Sequence, residues 1–200
     1  MHETGKGNTA AIILAAGFGT RLKSIGPKPL LKCKGKSFIE IAVEKAIAIQ
    51  IDPIILVTNH RFEPLINDLK LPTHITINEH PEKGMLSSIL TGMKLLPRRC
   101  DGFFMCPIDY PLVKFETYKH LLEAHYAYPN RIIKPVYQQK PGHPVIVPSN
   151  LFSALYKIPE NESARYLFRQ NSSLIQKVHV YDPGILFNIN TPELFHQYCK

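Results

Sequence analysis

Residues 10–31 read AAIILAAGFGTRLKSIGPKPLL, an apolar run that passes into a loop carrying Gly17, Gly19, Gly26, Arg21, Lys23 and Lys28. The apolar run, from Ala11 to Ala15, is too short for an ordinary helix and suits a buried strand. Glycine matters after such a strand because a residue without Cβ lets the backbone turn sharply and bring its N–H groups up to an anion. Arg21 and Lys28 add mobile positive charge that can follow phosphate oxygens as charge redistributes in a reaction.

Two better-known phosphate motifs do not fit. Gly17 and Gly19 are the first two glycines of a GxGxxG fingerprint, but Leu22 stands where the third is needed for close helix packing. Gly35, Lys36 and Ser37 spell the end of a P-loop, yet the glycine required five residues earlier is Leu30. That GKS reads as a turn and helix start, with Ser37 as the N-cap.

Outward from this loop, strand and helix patterns alternate along the chain. SFIEIAVEKAIAIQ (37–50) places Ile39, Val43, Ala46 and Ile47 on one helical face, and IDPIILVTN (51–59) is a second buried strand. A short helix near Pro64, the strand HITINE (74–79) and the helical pattern GMLSSILTGMKLL (84–96) follow. GFFMCPIDYPL (102–112) is apolar until it breaks at a proline and an acid, and a helix is expected over 113–127. RIIKPVYQ and GHPVIVP are extended runs on either side of a turn at Pro141 and Gly142, followed by two helical stretches, the strand LIQKVHVYD and a terminal helix. Such alternation predicts an α/β fold: one three-layer α/β/α domain over residues 10–200 with a mostly parallel sheet, preceded by a flexible segment, 1–9.

The 200 residues suffice for one sizeable core. Apolar residues at 44% and charged residues at 20% match a soluble globular chain, and a polar start with no long apolar run predicts a cytoplasmic protein with no membrane partner. The formal charge of +8 admits anionic ligands, but the basic residues are dispersed, which argues against nucleic acid. Cys33, Cys100, Cys106 and Cys199 form no CxxC pair and are expected to be reduced, mostly structural thiols.

In an open α/β sheet, ligands bind beyond the carboxyl ends of the strands, so the residues after each strand are the candidates. Those are Gly17 to Lys28, Asn59, Asn78 and Glu79, and Asp109. A carboxylate in Asp109's position, between Pro107 and Pro111, suits Mg²⁺, a hard ion that keeps waters and bridges to phosphate; the alternative is a turn aspartate that caps the next helix. Asn188 and Asn190 share a side of an extended segment and can complete a metal shell, hold substrate or merely shape the turn before Thr191. Gly84, Ser87 and Ser88 stand at a helix N-terminus that attracts anions or hydrogen-bonds a base, or are ordinary helix-start residues. His143 lies on a glycine turn, where a lone histidine is as readily structural as functional. No nucleophile triad and no acid–base pair of carboxylates is readable, so the available chemistry is positioning and charge neutralisation, the usual means of phosphoryl transfer.

Together these segments resemble the MobA/MocA-like nucleotidyltransferases, within the nucleotide-diphospho-sugar transferase (GT-A-like) fold. LAAGFGTRL with Lys28 resembles the signature loop, Asn78 with GMLSSILTG a second segment, and PIDYPLV the D-x-P-L-V segment. GHPVIVP resembles the GHPV turn, SARYLF with Arg165 the G-A-R-x-L helix, and NINTPEL the closing segment. Two features depart: PKPLL is closer to sugar-phosphate nucleotidyltransferases, and both aspartates of the closing segment are Asn188 and Asn190.

The resemblance implies transfer of a nucleoside monophosphate from a nucleoside triphosphate to a phosphorylated small-molecule acceptor, with release of pyrophosphate. It implies that Leu14, Ala15, Ala16, Gly17, Gly19, Thr20, Asn78, Gly84 and Ser88 hold the nucleotide, and that Arg21, Lys28 and Asp109 act on the phosphates. Asp109 and Asn190 would bind Mg²⁺; His143, Arg165 and Asn188 would hold the acceptor. Ala16 favours CTP over GTP, and a molybdopterin-type acceptor is favoured over a sugar or alditol phosphate. The neutral asparagines leave open an accessory protein that binds nucleotide without turnover.

Overall fold

A computed structural model describes residues 8–199. The described residues form ten strands: β1 (Thr9–Leu14), β2 (Lys32–Cys33), β3 (Lys36–Ser37), β4 (Ile54–Thr58), β5 (His74–Ile77), β6 (Gly102–Pro107), β7 (Ile132–Tyr137), β8 (Lys140–Pro141), β9 (Val145–Pro148) and β10 (Ile175–His179). The helices are α1 (Phe38–Ala48), α2 (Glu63–Asn67), α3 (Met85–Met93), α4 (Phe115–Ala127), α5 (Phe152–Tyr156), α6 (Arg165–Gln170) and α7 (Pro192–Tyr198). β1 begins at Thr9, inside the stretch expected to be flexible, while residues 1–7 of that stretch lie outside the described residues.

The main sheet runs in the order β5-β4-β1-β6-β9-β7-β10, with β8 on β7; β2 and β3 form a separate hairpin. β1 pairs parallel with both β4 and β6, which explains its unbroken apolar sequence: a central parallel strand is covered on both faces. β9 is the antiparallel exception between β6 and β7. The connection from β7 to β9 is too short for a crossover and turns the chain back on itself.

Alternate residues of β1 feed two cores. Ala11, Ile13 and Ala15 pack with Phe38, Ile39 and Val43 of α1, Leu121 of α4 and Phe195 of α7. Ala10, Ile12, Leu14 and Ala16 pack on the other face with Ile89 and Met93 of α3, Leu155 of α5 and Leu167 of α6. The result is the expected α/β/α layering around a mostly parallel sheet. Among the described residues no helix is long and apolar enough to cross a membrane.

Local signals account for the helix starts. Ser37 caps α1 in a reciprocal box with Glu40, Ser37 Oγ accepting from the Glu40 N–H while the Glu40 carboxylate accepts from the Ser37 N–H. Thr191 caps α7, its Oγ1 accepting from Leu194 N–H. The helix expected from residue 113 starts at Phe115; the carboxylate of buried Asp182 accepts from Lys114 N–H at 2.7 Å and from Thr117 Oγ1 at 2.6 Å. Gly92 lets α3 press onto the sheet, since a Cβ there would lie 2.6 Å from Ile12 Cγ2 and 2.9 Å from Val57 Cγ2.

The cysteine expectation is corrected for one pair. α7 returns the chain to the β2–β3 hairpin, and Cys33 and Cys199 form a disulfide there, a proximity that 166 residues of separation conceal. Cys100 and Cys106 are free and buried.

Candidate active site

The loop after β1 is tied down at several points. Ala15 N–H donates to Val57 C=O at 2.8 Å, and the buried Asn59 amide donates to Ala16 C=O at 2.7 Å. Gly19 adopts the left-handed conformation at φ 61°, ψ 33°, and starts a 3-10 turn over Thr20–Leu22 whose Leu22 is buried. A second 3-10 turn, Lys28–Leu30, brings Lys28 back beneath Gly19; a Cβ on Gly19 would lie 2.8 Å from Lys28 Cβ. Gly19 is therefore required twice, for its φ and for the close approach of Lys28.

Lys28 Nζ stands 3.2 Å from Asp109 Oδ2, and the two side chains are only 14% and 18% exposed. Asp109 follows the end of β6, and its turn is clamped from two sides. Lys45 of α1 donates to Pro111 C=O at 2.7 Å, and Ile189 N–H donates to Asp109 C=O at 2.7 Å. Burial lowers the Lys45 pKa to about 8, against the opposing pull of Asp182, Cys106 and Glu44. The bond from Ile189 sets the NINTPEL segment against Asp109 and brings Asn190 into the same cleft.

Two hollows meet at the Lys28–Asp109 pair, and a third opens at Tyr110, the residue after Asp109. The first, of about 220 Å³, is lined by Leu14, Ala15, Ala16 and Gly17, by Gly84, Met85 and Ser88 at the start of α3, and by Lys28 and Asp109. The second, also about 220 Å³, shares Lys28 and Asp109 and adds Gly19, Thr20, Arg21 and Asn190. The third, about 300 Å³, lies past Tyr110 and contains His143 and Arg165. Its Tyr110 and His143 rings are 4.9 Å apart, and burial pushes the Tyr110 hydroxyl pKa up. Burial drives His143 down to about 4, with Lys134 and Arg165 adding to the effect and Asp109 opposing it, so the imidazole is neutral near pH 7.

Two expected site residues sit elsewhere. Asn78 is buried behind the first hollow, outside its wall. Its amide donates to Ser87 Oγ at 2.8 Å and Ser88 Oγ at 3.0 Å, while its Oδ1 accepts from His80 N–H at 2.9 Å. It holds the start of α3 in place. Asn188 and Asn190, expected on one side, divide between neighbouring sites. The Asn188 amide is at the Tyr110 hydroxyl, and its Oδ1 is buried without a hydrogen-bond partner among the described residues.

Asn59, a candidate by its place after a strand, braces the loop after β1 instead of lining a hollow, while Tyr110, Lys134 and the bracing Lys45 were not singled out by sequence for the site. A signal existed for one of them: Lys134 is a cation inside the apolar strand run IIKPVY. Among the described residues no group of three His, Cys, Asp or Glu side chains can hold a metal. What the site offers a cation is one carboxylate and a nearby amide. That all-oxygen set fits a hard divalent ion completed by phosphate oxygens and water.

Comparison with known proteins bears on the family and the fold. The chain is 32% identical over 117 residues to the bifunctional protein GlmU of Prochlorococcus marinus (strain MIT 9211), covering 58% of this chain and 26% of that protein. It thus spans from about a quarter to two fifths of the length of the curated relatives of that kind. Nicotine blue oxidoreductase of Paenarthrobacter nicotinovorans is 25% identical over 206 residues, covering 98% of this chain and 99% of that protein. Among solved structures, Rv0371c of Mycobacterium tuberculosis H37Rv matches with a TM-score of 0.82 and 19% identity over 96% of this chain and 97% of its own. The same protein has also been solved in complex with manganese. Residues 11–176 match the family model of the MobA-like NTP transferase domain, and the chain belongs to that family.

Proposed function

We propose that this protein is a metal-dependent nucleotidyltransferase that moves a nucleoside monophosphate, CMP by preference, from the triphosphate to a phosphorylated acceptor of molybdopterin type. The observation that carries this reading is the half-buried Lys28–Asp109 pair at the junction of two hollows, beyond the carboxyl ends of β1 and β6. Leu14 to Gly17, with Gly84 and Ser88, hold the base and ribose; nothing lies within 4 Å of where a Gly17 Cβ would be, which leaves room for a ligand there. Gly19, Thr20, Arg21 and Lys28 hold the triphosphate.

An oxygen of the acceptor phosphate attacks the α-phosphorus while the bond to the β-phosphate oxygen breaks, and pyrophosphate leaves with that electron pair. Lys28 and Arg21 neutralise charge building on the leaving group. An acceptor phosphate is already ionised at neutral pH, so no strong base is needed, and neutral His143 would contact the acceptor rather than take a proton. Asp109 and Asn190 would hold Mg²⁺, which would supply charge neutralisation across the phosphates; the manganese complex of Rv0371c supports divalent-metal use. Lys28 already pairs with Asp109 through Oδ2 at 3.2 Å.

A second reading, transfer to a sugar or alditol phosphate, draws on the PKPLL segment that contains Lys28 and Pro29. Pyrophosphate release, measured with Mg²⁺ against a panel of triphosphates and of molybdopterin, sugar phosphate and alditol phosphate acceptors, separates the two. Lys28→Met and Asp109→Asn are each expected to cut release at least about a hundredfold with the fold intact. Nucleotide binding without release from any acceptor would establish the accessory role instead. Conversion of nicotine blue without pyrophosphate release would replace the transferase reading.

A further inference from the structure

The third hollow carries an imbalance of charge. Lys134 of β7 and Arg165 at the start of α6 both line it, and neither an Asp nor a Glu does. Neither cation has a carboxylate within ion-pair distance among the described residues; Lys134 Nζ instead lies 4.9 Å from the centre of the Phe168 ring. His143 contributes no charge near neutrality. The two cations also feel one another: after burial, the Arg165 charge is what lowers the Lys134 pKa. Lys134 is partly desolvated and Arg165 exposed, and two like charges brought together there without a counter-ion are unfavourable, so an oxyanion would relieve them. Apolar walls from Val145, Ile185 and Phe168 sharpen the effect by limiting water.

The location is specific. Tyr110 lies between this pocket and Asp109 and feels the charges of both Asp109 and Arg165. A small molecule lying across Tyr110 would have one end at Lys28 and Asp109 and its other end at Lys134 and Arg165.

We propose that Lys134 and Arg165 form a second anion site, and that the acceptor is therefore a small compound with two anionic groups. One is the phosphate that reacts near Asp109, and the other is an oxyanion held by Lys134 and Arg165. The identification of the ligand as the acceptor rests on the transferase reading above, whereas the anion site does not.

The test is accordingly made first by binding alone. Calorimetric titration of Lys28→Met protein with inorganic phosphate removes the main cation of the triphosphate end and is expected to show saturable binding. Adding Lys134→Met or Arg165→Met should weaken that binding at least tenfold, and adding Arg165→Lys should keep it within about threefold, which separates charge from folding. Absence of phosphate binding by Lys28→Met protein, or affinity within threefold after Lys134→Met and Arg165→Met, overturns the site. A parallel titration with malonate shows whether planar carboxylates share it; binding of malonate lost on Lys134→Met supports the site equally. Where turnover is found, acceptors with a second anionic group should exceed singly anionic ones at least tenfold in kcat/KM, and Lys134→Met should erase that margin through the acceptor KM without moving the triphosphate KM. Equal kcat/KM for both acceptor kinds overturns the doubly anionic acceptor while leaving both the anion site and the transferase reading intact.

Discussion

Replacing Gly19 by alanine tests whether the loop conformation is what places Lys28. A non-glycine residue in the left-handed region costs about 1–2 kcal/mol, and Gly19 sits there at φ 61°. The new Cβ would also meet Lys28 Cβ at 2.8 Å, so one backbone segment has to withdraw by about 1 Å to reach ordinary carbon contact. Together these give a loss of about 2–3 kcal/mol, or a fall of about 5–10 °C in Tm for a chain of this size. A shift of about 1 Å at a positioning cation costs about a hundredfold in rate. Gly17→Ala is the control, because Gly17 has no positive φ and no atom within 4 Å of a Cβ. That variant should melt within about 2 °C of the parent yet bind nucleotide more weakly, since its methyl occupies the hollow. Calorimetric melting and pyrophosphate release on both variants decide the matter. A Gly19→Ala protein that melts and turns over like the parent would refute the argument, as would equal destabilisation by the two substitutions.

Two further outcomes follow from the geometry around the site. The His143 pKa is depressed from 6.5 to about 4, so the unfolded chain binds the proton more readily than the folded one. Stability should therefore fall as pH drops from about 6.5 towards 4, and His143→Gln should flatten part of that slope in denaturant titrations; an unchanged slope would place the imidazole in water. His125, also depressed by burial, accounts for a remainder of the same sign. Asn78→Ala removes three hydrogen bonds at a buried site and should cost about 2 kcal/mol in denaturant unfolding while raising the KM for the triphosphate. A loss in stability without a change in KM would show that the start of α3 does not bear on the nucleotide.

The loop of residues 10–31 and Asp109 were legible because their chemistry is local. A strand signal, glycines and cations succeed one another within a few residues, and an acid flanked by prolines marks a strand end. The layering was legible as well, since each strand and helix declares itself by its own periodicity. What escaped was every relation made across the fold. Asn78 carries the right amide for a ligand, but Ser87 and Ser88, set by how α3 meets β5, and the nearby His80 N–H satisfy it internally. Asn188 and Asn190 alternate along the chain as a strand would place them, yet the hydrogen bond from Ile189 to Asp109 directs one to the hollow of Lys28 and Asp109 and leaves the other at Tyr110. Lys134 was passed over because one lysine in a strand resembles a solvent-facing residue until Arg165, thirty-one positions on, is brought beside it. The antiparallel β9 likewise depends on the length of a turn and not on the pattern of the strand.

The bond between Cys33 and Cys199 makes the greater part of this protein a closed covalent ring. In the chain-entropy picture, a closure over 166 residues disfavours the unfolded state by about 5 kcal/mol. The ring is sealed five residues beyond Lys28 and nine beyond Asn190, the two segments that flank Asp109 from opposite ends of the chain. A single backbone cut anywhere within it would open the ring without releasing a fragment, and both flanking segments would stay tethered to each other. Reduction turns a cut made between Cys33 and Asn190 into two separable pieces, one carrying Lys28 and the other Asn190.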